Sequence, residues 1–429
     1  MNKYKNIKEL YNDFILLESK YSLIDLEIDN IKIWQAIRWN VFTTISAKIF
    51  GLGQAHINSS KSNKLKQIVP MIYNSIFNNG FFAKPHDILV FPHDRVRLVD
   101  GEYIDINTKY FIDDLLSQGK DLLVMEKPYT QKHFTKKNSY TKYLDDSILF
   151  SSIFKKFVKV NLQEYKIINL LINDIKKLFG VDIDLYFIIK DKIKLYKVYY
   201  KFYYKLLSHL KPKQIYMVVC YSYPWLVQVA KDLNIEVIEL QHGAFSKYHL
   251  GYSYHNNSVN YYPDKFLVWN NYWKNIIRFP LKKEQIDIYP FIFQEREIKK
   301  YQHIKKERNK VVVLSQGPIS NKMAKIILDN FDFFKDKVIE YKLHPGELQR
   351  YKSYPYLMKL LEKDNVSLSN SDNLYELLAK SEYQVGVYST AIYEGIEFNC
   401  KTILCNTMFV EYMEKLIEDN KIYKILYEK

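Results

Sequence analysis

The chain has 429 residues, 48% hydrophobic and 26% charged, a balance that excludes a disordered or fibrous polymer and allows two globular domains with a large core. Lysine and arginine exceed aspartate and glutamate by 63 to 48, and the net charge of +15 favours anionic partners such as nucleotide phosphates or acidic lipid. The lysines are spread widely and match no nucleic-acid motif, so nucleic acid is not expected as a partner.

Met1-Asn2-Lys3-Tyr4-Lys5 leads into mixed polar sequence, so no signal peptide is expected. No run of about 18 or more uncharged apolar residues occurs. Apolar residues spaced three and four apart predict helices over Ile7–Leu17 and Ile31–Phe50, then a polar break at Ser59–Lys66. Asp87–Phe91 reads as a strand running into Pro92-His93-Asp94-Arg95. Val99–Tyr103 reads as a turn, Phe111–Gln118 as a helix and Leu122–Met125 as a strand. Residues 140–212 are helical in character and rich in lysine and tyrosine. Within them, Lys190–Lys211 is a basic amphipathic segment of the kind that lies on an anionic membrane surface; the plainer reading is a solvated helix whose lysine stems cover apolar surface.

Strand, helix and strand resume at Ile215–Cys220, Trp225–Leu233 and Glu236–Leu240, the last ending in Gln241-His242-Gly243. Phe266–Trp269 is a further strand and Asn271–Arg278 a helix. Residues 281–309, with Pro290 and a charged run, read as an interdomain linker. Beyond them, five short strands alternate with helices: Val311–Leu314, Val338–Leu343, Val366–Leu368, Tyr383–Val387 and Thr402–Cys405, separated by helices at Asn321–Phe334, Leu357–Lys363, Leu374–Lys380 and Ala391–Phe398. Alternation of this kind predicts parallel sheets covered on both faces. The expected fold is α/β, with two Rossmann-like domains facing across a cleft and helical additions in the first. The expected division is a first domain at 1–280, the linker at 281–309, a second domain at 310–408 and a helix packing back at 409–429.

Parallel sheets bind ligands at the carboxyl ends of their strands, and polar clusters fall there. Ser389-Thr390 precedes a helix whose free amides suit a phosphate, although both residues are also ordinary helix caps. Glu394, one turn on, could take ribose hydroxyls. Ser315-Gln316-Gly317-Pro318 is a weaker loop of the same sort. His344-Pro345-Gly346-Glu347 ends a strand, and the proline fixes the imidazole for a phosphate or leaving group, with Glu347 orienting it or binding ribose. His242 at a strand end could serve as a general base, with Gln241 and Gly243 beside the ligand. His249 and His255 follow in a loop. His93, Asp94, Arg95 and Arg97 would face the same cleft, the arginines suited to a carboxylate. Each histidine could equally be bonded to backbone, and each charge cluster could be plain surface. No phosphate-binding loop with Gly-Lys-Ser/Thr and no Gly-x-Gly-x-x-Gly fingerprint is present, which argues against a kinase or a dehydrogenase. The three cysteines, Cys220, Cys400 and Cys405, have neither metal spacing nor a disulfide framework and fit a reducing, cytoplasmic compartment. The Asn256-Asn257-Ser258 triplet carries no weight in such a chain.

Together, Gln241-His242-Gly243, Lys342 through Glu347, and Val387 through Gly395 resemble bacterial surface-polysaccharide glycosyltransferases of the GT-B fold, over residues 214–406. The resemblance is to CMP-sugar users, the sialyltransferases and capsule Kdo transferases. It implies that the domain at 1–280 binds an acceptor and the domain at 310–408 a nucleotide sugar. It also implies that His344-Pro345 and Ser389-Thr390 bind the CMP phosphate and assist its departure, without a metal or other cofactor. An acidic motif that supplies the base in such enzymes is replaced here by Gln241-His242-Gly243, leaving the base open among His242, Asp94 and Glu239. The expected reaction is inverting transfer of a sialic acid or Kdo-like sugar from a CMP donor to a capsular or lipopolysaccharide glycan, at the inner face of the membrane. A CDP-polyol phosphotransferase of teichoic-acid type and a non-catalytic glycan- or membrane-binding protein are the alternatives.

Overall fold

A computed structural model of the chain describes residues 3–51, 64–255, 259–317, 319–369, 371 and 373–429. Met1, Asn2, residues 59–63 of the expected polar break, the Asn256–Ser258 triplet and Pro318 lie outside these.

Helices α1 (Ile7–Lys20) and α2 (Ile33–Phe50) open the fold, linked by a hairpin of β1 (Glu27–Ile28) and β2 (Ile31–Lys32). Asn6 caps α1 by accepting the Glu9 amide, and the stripe Ile7, Leu10, Phe14 and Leu17 is buried as its spacing predicts. Arg38 of α2 is buried against Glu18, 2.7 Å away, and donates to the carbonyls of Leu250 and Ser253. The helical addition therefore grips a loop of the first sheet domain. Next come α3 (Lys64–Phe77), β3 (Ile88–Phe91), a hairpin of β4 (Arg97–Val99) and β5 (Glu102–Ile104), α4 (Lys109–Ser117), β6 (Leu122–Glu126) and β7 (Thr141–Tyr143). Helices α5 (Asp145–Phe154), α6 (Lys166–Phe179) and α7 (Leu185–Leu210) precede β8 (Gln214–Met217), α8 (Pro224–Asp232), β9 (Glu236–Leu240), β10 (Lys265–Val268), α9 (Asn271–Lys274) and β11 (Ile286–Ile288).

The first sheet has the order β11-β10-β9-β8-β3-β6-β7, and every neighbouring pair is parallel. Helix α10 (Ile292–Tyr301) then crosses to the second sheet unit: β12 (Glu307–Leu314), α11 (Ser320–Asp329), β13 (Val338–Lys342), α12 (Pro355–Leu361), β14 (Val366–Leu368), α13 (Leu374–Lys380), β15 (Ser381–Gly386), α14 (Thr390–Glu397), β16 (Lys401–Cys405), α15 (Glu414–Glu418) and β17 (Lys424–Leu426). Its order is β14-β13-β12-β15-β16-β17, again all parallel. Both sheets start near the middle, wind to one edge and then restart on the other side. Each is a doubly wound Rossmann-like sheet with one switch point, between β3 and β8 and between β12 and β15. Val311, Val312 and Val313 are wholly buried, as a strand covered on both faces requires.

Three details depart from the sequence reading. Residues 281–309 are not an open linker, because Ile286–Ile288 pairs with β10 at the sheet edge and α10 packs between Tyr110 and Tyr375 through Phe293. The stretch 409–429 is more than a helix packing back: Glu414 bonds Tyr248 and Lys247 of the first domain, while Lys424–Leu426 adds a sixth strand to the second sheet. Lastly, α7 holds the basic run from Lys190, but Ile193, Tyr196, Phe202, Leu206 and Leu207 are buried against the fold. The apolar face that a membrane would need there is already covered by protein. Among the described residues, no helix is long and apolar enough to cross a membrane.

Candidate functional site

Loops at the strand ends of the two sheets meet. The Ala244 amide, four residues past β9, donates to Thr390 Oγ1 at 3.0 Å. Trp273 lies against Tyr393, ring centroids 4.7 Å apart, on the same seam. A cavity of about 280 Å³ opens here, walled by Trp39, Ala244, Phe245, Ser246 and His249 on one side and by Gln316, Tyr388, Ser389, Thr390 and Tyr393 on the other. A second cavity of about 280 Å³ lies wholly in the first domain, at the ends of β3 and β6 under the β4–β5 hairpin. His93, Asp94, Lys127, Tyr103, Tyr129 and Phe134 are among its walls.

His242 lines neither cavity but adjoins residues of both. Its ring is 5.6 Å from that of His93, which lines the second cavity, and the chain that follows it touches Thr390 in the first. Behind it runs a polar relay. The Tyr252 hydroxyl donates to Glu239 and lies 3.2 Å from His242 Nδ1. Glu239 also accepts the amides of Val219 and Cys220, at 2.8 and 3.1 Å. With Glu239 ionised, the one Tyr252 proton is spent on the carboxylate. The tautomer that satisfies the remaining contact carries its proton on Nδ1 and leaves Nε2 as the acceptor. Burial, with help from His93, His249 and Arg95, pushes His242 down to about 3, and burial pushes Glu239 up to about 7. The imidazole is thus neutral at neutral pH, with Nε2 unprotonated.

Ser389 is the cap residue of α14, its side chain makes no cap bond, and it lines the shared cavity at the start of the helix. Thr390 is partly committed, since its oxygen holds Ala244. His249 lines the same cavity, stacked on Trp39 with ring centroids 4.2 Å apart, and its buried Nδ1 has no protein partner among the described residues. Burial lowers it to about 4.

Other expected ligand contacts are spent on structure. Gln241 is buried, donating to the Gly243 carbonyl and accepting the Trp269 amide. Gln316 clamps the Tyr388 backbone through both ends of its amide, joining the two loops of the second switch point. Ser315 donates to Glu347, which is fully buried and also accepts the His344 amide. Glu394 accepts from Tyr375 inside the fold; burial raises it, and Arg97 from the other domain offsets part of that rise. Gly243 leaves room for Thr390, 3.5 Å from where a Cβ would sit.

His344, expected opposite His242, is exposed and is not on the wall of the shared cavity. Its Nδ1 accepts the Gly346 amide, and Pro345 begins a single tight turn that keeps the ring on its own loop. No hydrogen bond or ring contact joins it to His242 among the described residues. Asp94 lies in the second cavity, beside Lys127 and Tyr223, and Arg95 is exposed with its amide on His93. His255 bonds Tyr11, away from the cleft.

Several residues of the site went unseen in the sequence. Tyr252 and Trp39 reach it only through the fold. Arg350 closes over Gly317, where an added Cβ would lie 2.7 Å from its Nη2. Lys127 sits over the Tyr223 ring at 4.0 Å with no ion pair or hydrogen bond among the described residues, and burial pushes it down to about 8. Among the described residues, no group of three or more His, Cys, Asp or Glu side chains is placed to hold a metal.

No family model matches the sequence. An uncharacterized protein, L389 of Acanthamoeba polyphaga mimivirus, is 30% identical over 113 residues, 24% of this chain and 10% of that protein, so the chain spans about a tenth of its relative's length. Among solved structures, UDP-GlcNAc 2-epimerase from Methanocaldococcus jannaschii is similar with a TM-score of 0.46 and 12% identity, over 80% of this chain and 88% of that one. The enzyme of the same name from Neisseria meningitidis, bound to UDP-GlcNAc, gives 0.44 and 11% over 78% and 86%. A glycosyltransferase from Rickettsia africae ESF-5 gives 0.39 and 11% over 76% and 81%. The strand order, rather than these distant likenesses, fixes the fold.

Proposed function

We propose that the chain is a nucleotide-sugar-dependent glycosyltransferase, with the donor in the cavity between the domains and a glycan acceptor in the cavity of the first domain. The observation that carries this reading is the place of His242, an imidazole beside His93 of one cavity and two residues before Ala244 of the other, backed by Tyr252 and Glu239. In the reaction, His242 Nε2 takes the proton of an acceptor hydroxyl. The acceptor oxygen bonds to the anomeric carbon as the bond from that carbon to the nucleotide phosphate breaks. The nucleotide leaves with the electron pair, and its new charge falls on the Ser389 hydroxyl and the amides at the start of α14. Attack from the face opposite the leaving group inverts the anomeric centre. Glu239, acting through Tyr252, steadies the imidazolium that forms.

A CMP-linked sialic acid or Kdo-like sugar is the donor we favour, on the sequence motif Ser389-Thr390, which lines the shared cavity; His344-Pro345 lies off its wall and lends this choice no support. In the acceptor cavity, the aromatic walls Tyr103, Tyr129 and Phe134 suit a sugar ring, and the Lys127 amine suits an acidic one. Thermal stabilisation by a panel of CMP-, CDP-, UDP- and GDP-sugars tests the donor site, since a ligand of the folded state raises its melting point. One class should stabilise the protein. Ser389→Ala should weaken that ligand roughly tenfold, as expected for a lost bond to a charged group, and His344→Ala should weaken it less. Stabilisation by none of the panel would remove the donor assignment. A phosphodiester product in place of a glycosidic one would favour a polyol phosphotransferase.

A further inference from the structure

One face of the first domain is apolar and uncovered. On α3, Val69, Ile72, Tyr73, Ile76 and Phe77 are 44–67% exposed, and they recur one turn apart along a single side of the helix. Phe82, 68% exposed, continues the stripe past the helix end. Helix α5 packs beside α3 and adds Ile153, Phe154 and Phe157, the last 74% exposed. Soluble chains rarely leave so many large apolar side chains together in water.

Charge says what covers this face. Between Lys64 and His86, and again between Ser147 and Gln163, there is no aspartate or glutamate, while Lys84, Lys156 and Lys159 stand exposed in those stretches. None of the three has an ion pair among the described residues. Lys201 and Lys205 on the adjoining α7 are exposed as well. Lys155 of the same stretch is paired with Asp191 of α7, but an apolar stripe flanked by three unpaired lysines and carrying no acid of its own is complementary to a bilayer with anionic headgroups, since the rings enter the acyl boundary while the lysines meet phosphate. A protein partner of ordinary composition would leave those lysines unmatched.

We propose that α3, the Gly80–Phe82 turn and the end of α5 form a docking face for an anionic membrane surface. The face is distinct from the basic run of α7 that the sequence suggested, whose apolar side is buried. It is also distinct from both cavities and does not depend on the transfer reaction.

The test is co-sedimentation of the full chain with vesicles of phosphatidylcholine alone and with phosphatidylglycerol added, at low and high salt. The expected result is binding to the anionic vesicles only, weakened by salt. Phe77→Ser with Phe82→Ser should weaken it tenfold or more, and Lys156→Glu with Lys159→Glu should weaken it several-fold at low salt. All four positions are exposed, so melting temperatures should stay near that of the parent. No vesicle binding, or binding unchanged in the Phe77/Phe82 variant, would overturn the proposal. A concentration-dependent dimer abolished by that variant would overturn it too, by assigning the face to a second copy.

Discussion

At the scale of single residues, His242 sets the terms. Its folded form resists protonation because burial and the nearby His93, His249 and Arg95 disfavour a charge. The folded value, about 3, lies below the free value of about 6.5, so the unfolded chain takes up the proton first. Stability present above pH 6.5 is therefore lost step by step as the pH falls toward 3. His242→Asn should flatten that acid limb, as read from denaturant midpoints measured across the range; an unchanged slope would mean the imidazole is not desolvated. The histidine itself was legible in the sequence, since a strand pattern followed by Gln-His-Gly places it at a sheet end. The relay behind it was not. Tyr252 lies in a loop, and Arg38, on a helix more than two hundred residues earlier, holds the neighbouring carbonyls in place while Tyr262 holds that of Tyr252 itself. His344 shows the opposite failure. Its motif put it at the right strand end, but the direction of its ring depends on a bond to its own loop that no pattern announces.

At the scale of elements, α14 presents the amides on which the leaving nucleotide is to rest. It can sit close to β15 because residue 395 is glycine: an added Cβ would fall 2.0 Å from Gln384 Oε1, inside a buried amide that bonds the Ile392 carbonyl and Thr402. Gly395→Ala should therefore lift the helix, costing about 1–3 kcal/mol in unfolding experiments and weakening the donor along with stability. An alanine variant of full stability and unchanged donor affinity would show that the helix has slack. Most strands were legible as short apolar runs between turn residues, and Glu236–Leu240 and Leu374–Lys380 stand where they were expected. Lys424–Leu426 was not, because three residues with one buried side chain carry no period.

At the scale of the whole molecule, two sheets with the same winding bring strand-end loops together, and the strand–helix alternation had already implied the two parallel sheets. What it could not give was the second cavity, formed where a hairpin, β6 and the Tyr129–Phe134 segment close together, nor the lysine-flanked face of α3 and α5. Both are products of contacts distant in sequence. The central claim is that His242 draws a proton across the gap between a donor and an acceptor. It is tested most directly by following nucleotide release from the stabilising donor, with a glycan acceptor present, for the parent chain and for His242→Ala. The account predicts that the variant still binds the donor but releases nucleotide about 10²–10⁴-fold more slowly. Release at the parent rate by the variant would contradict it.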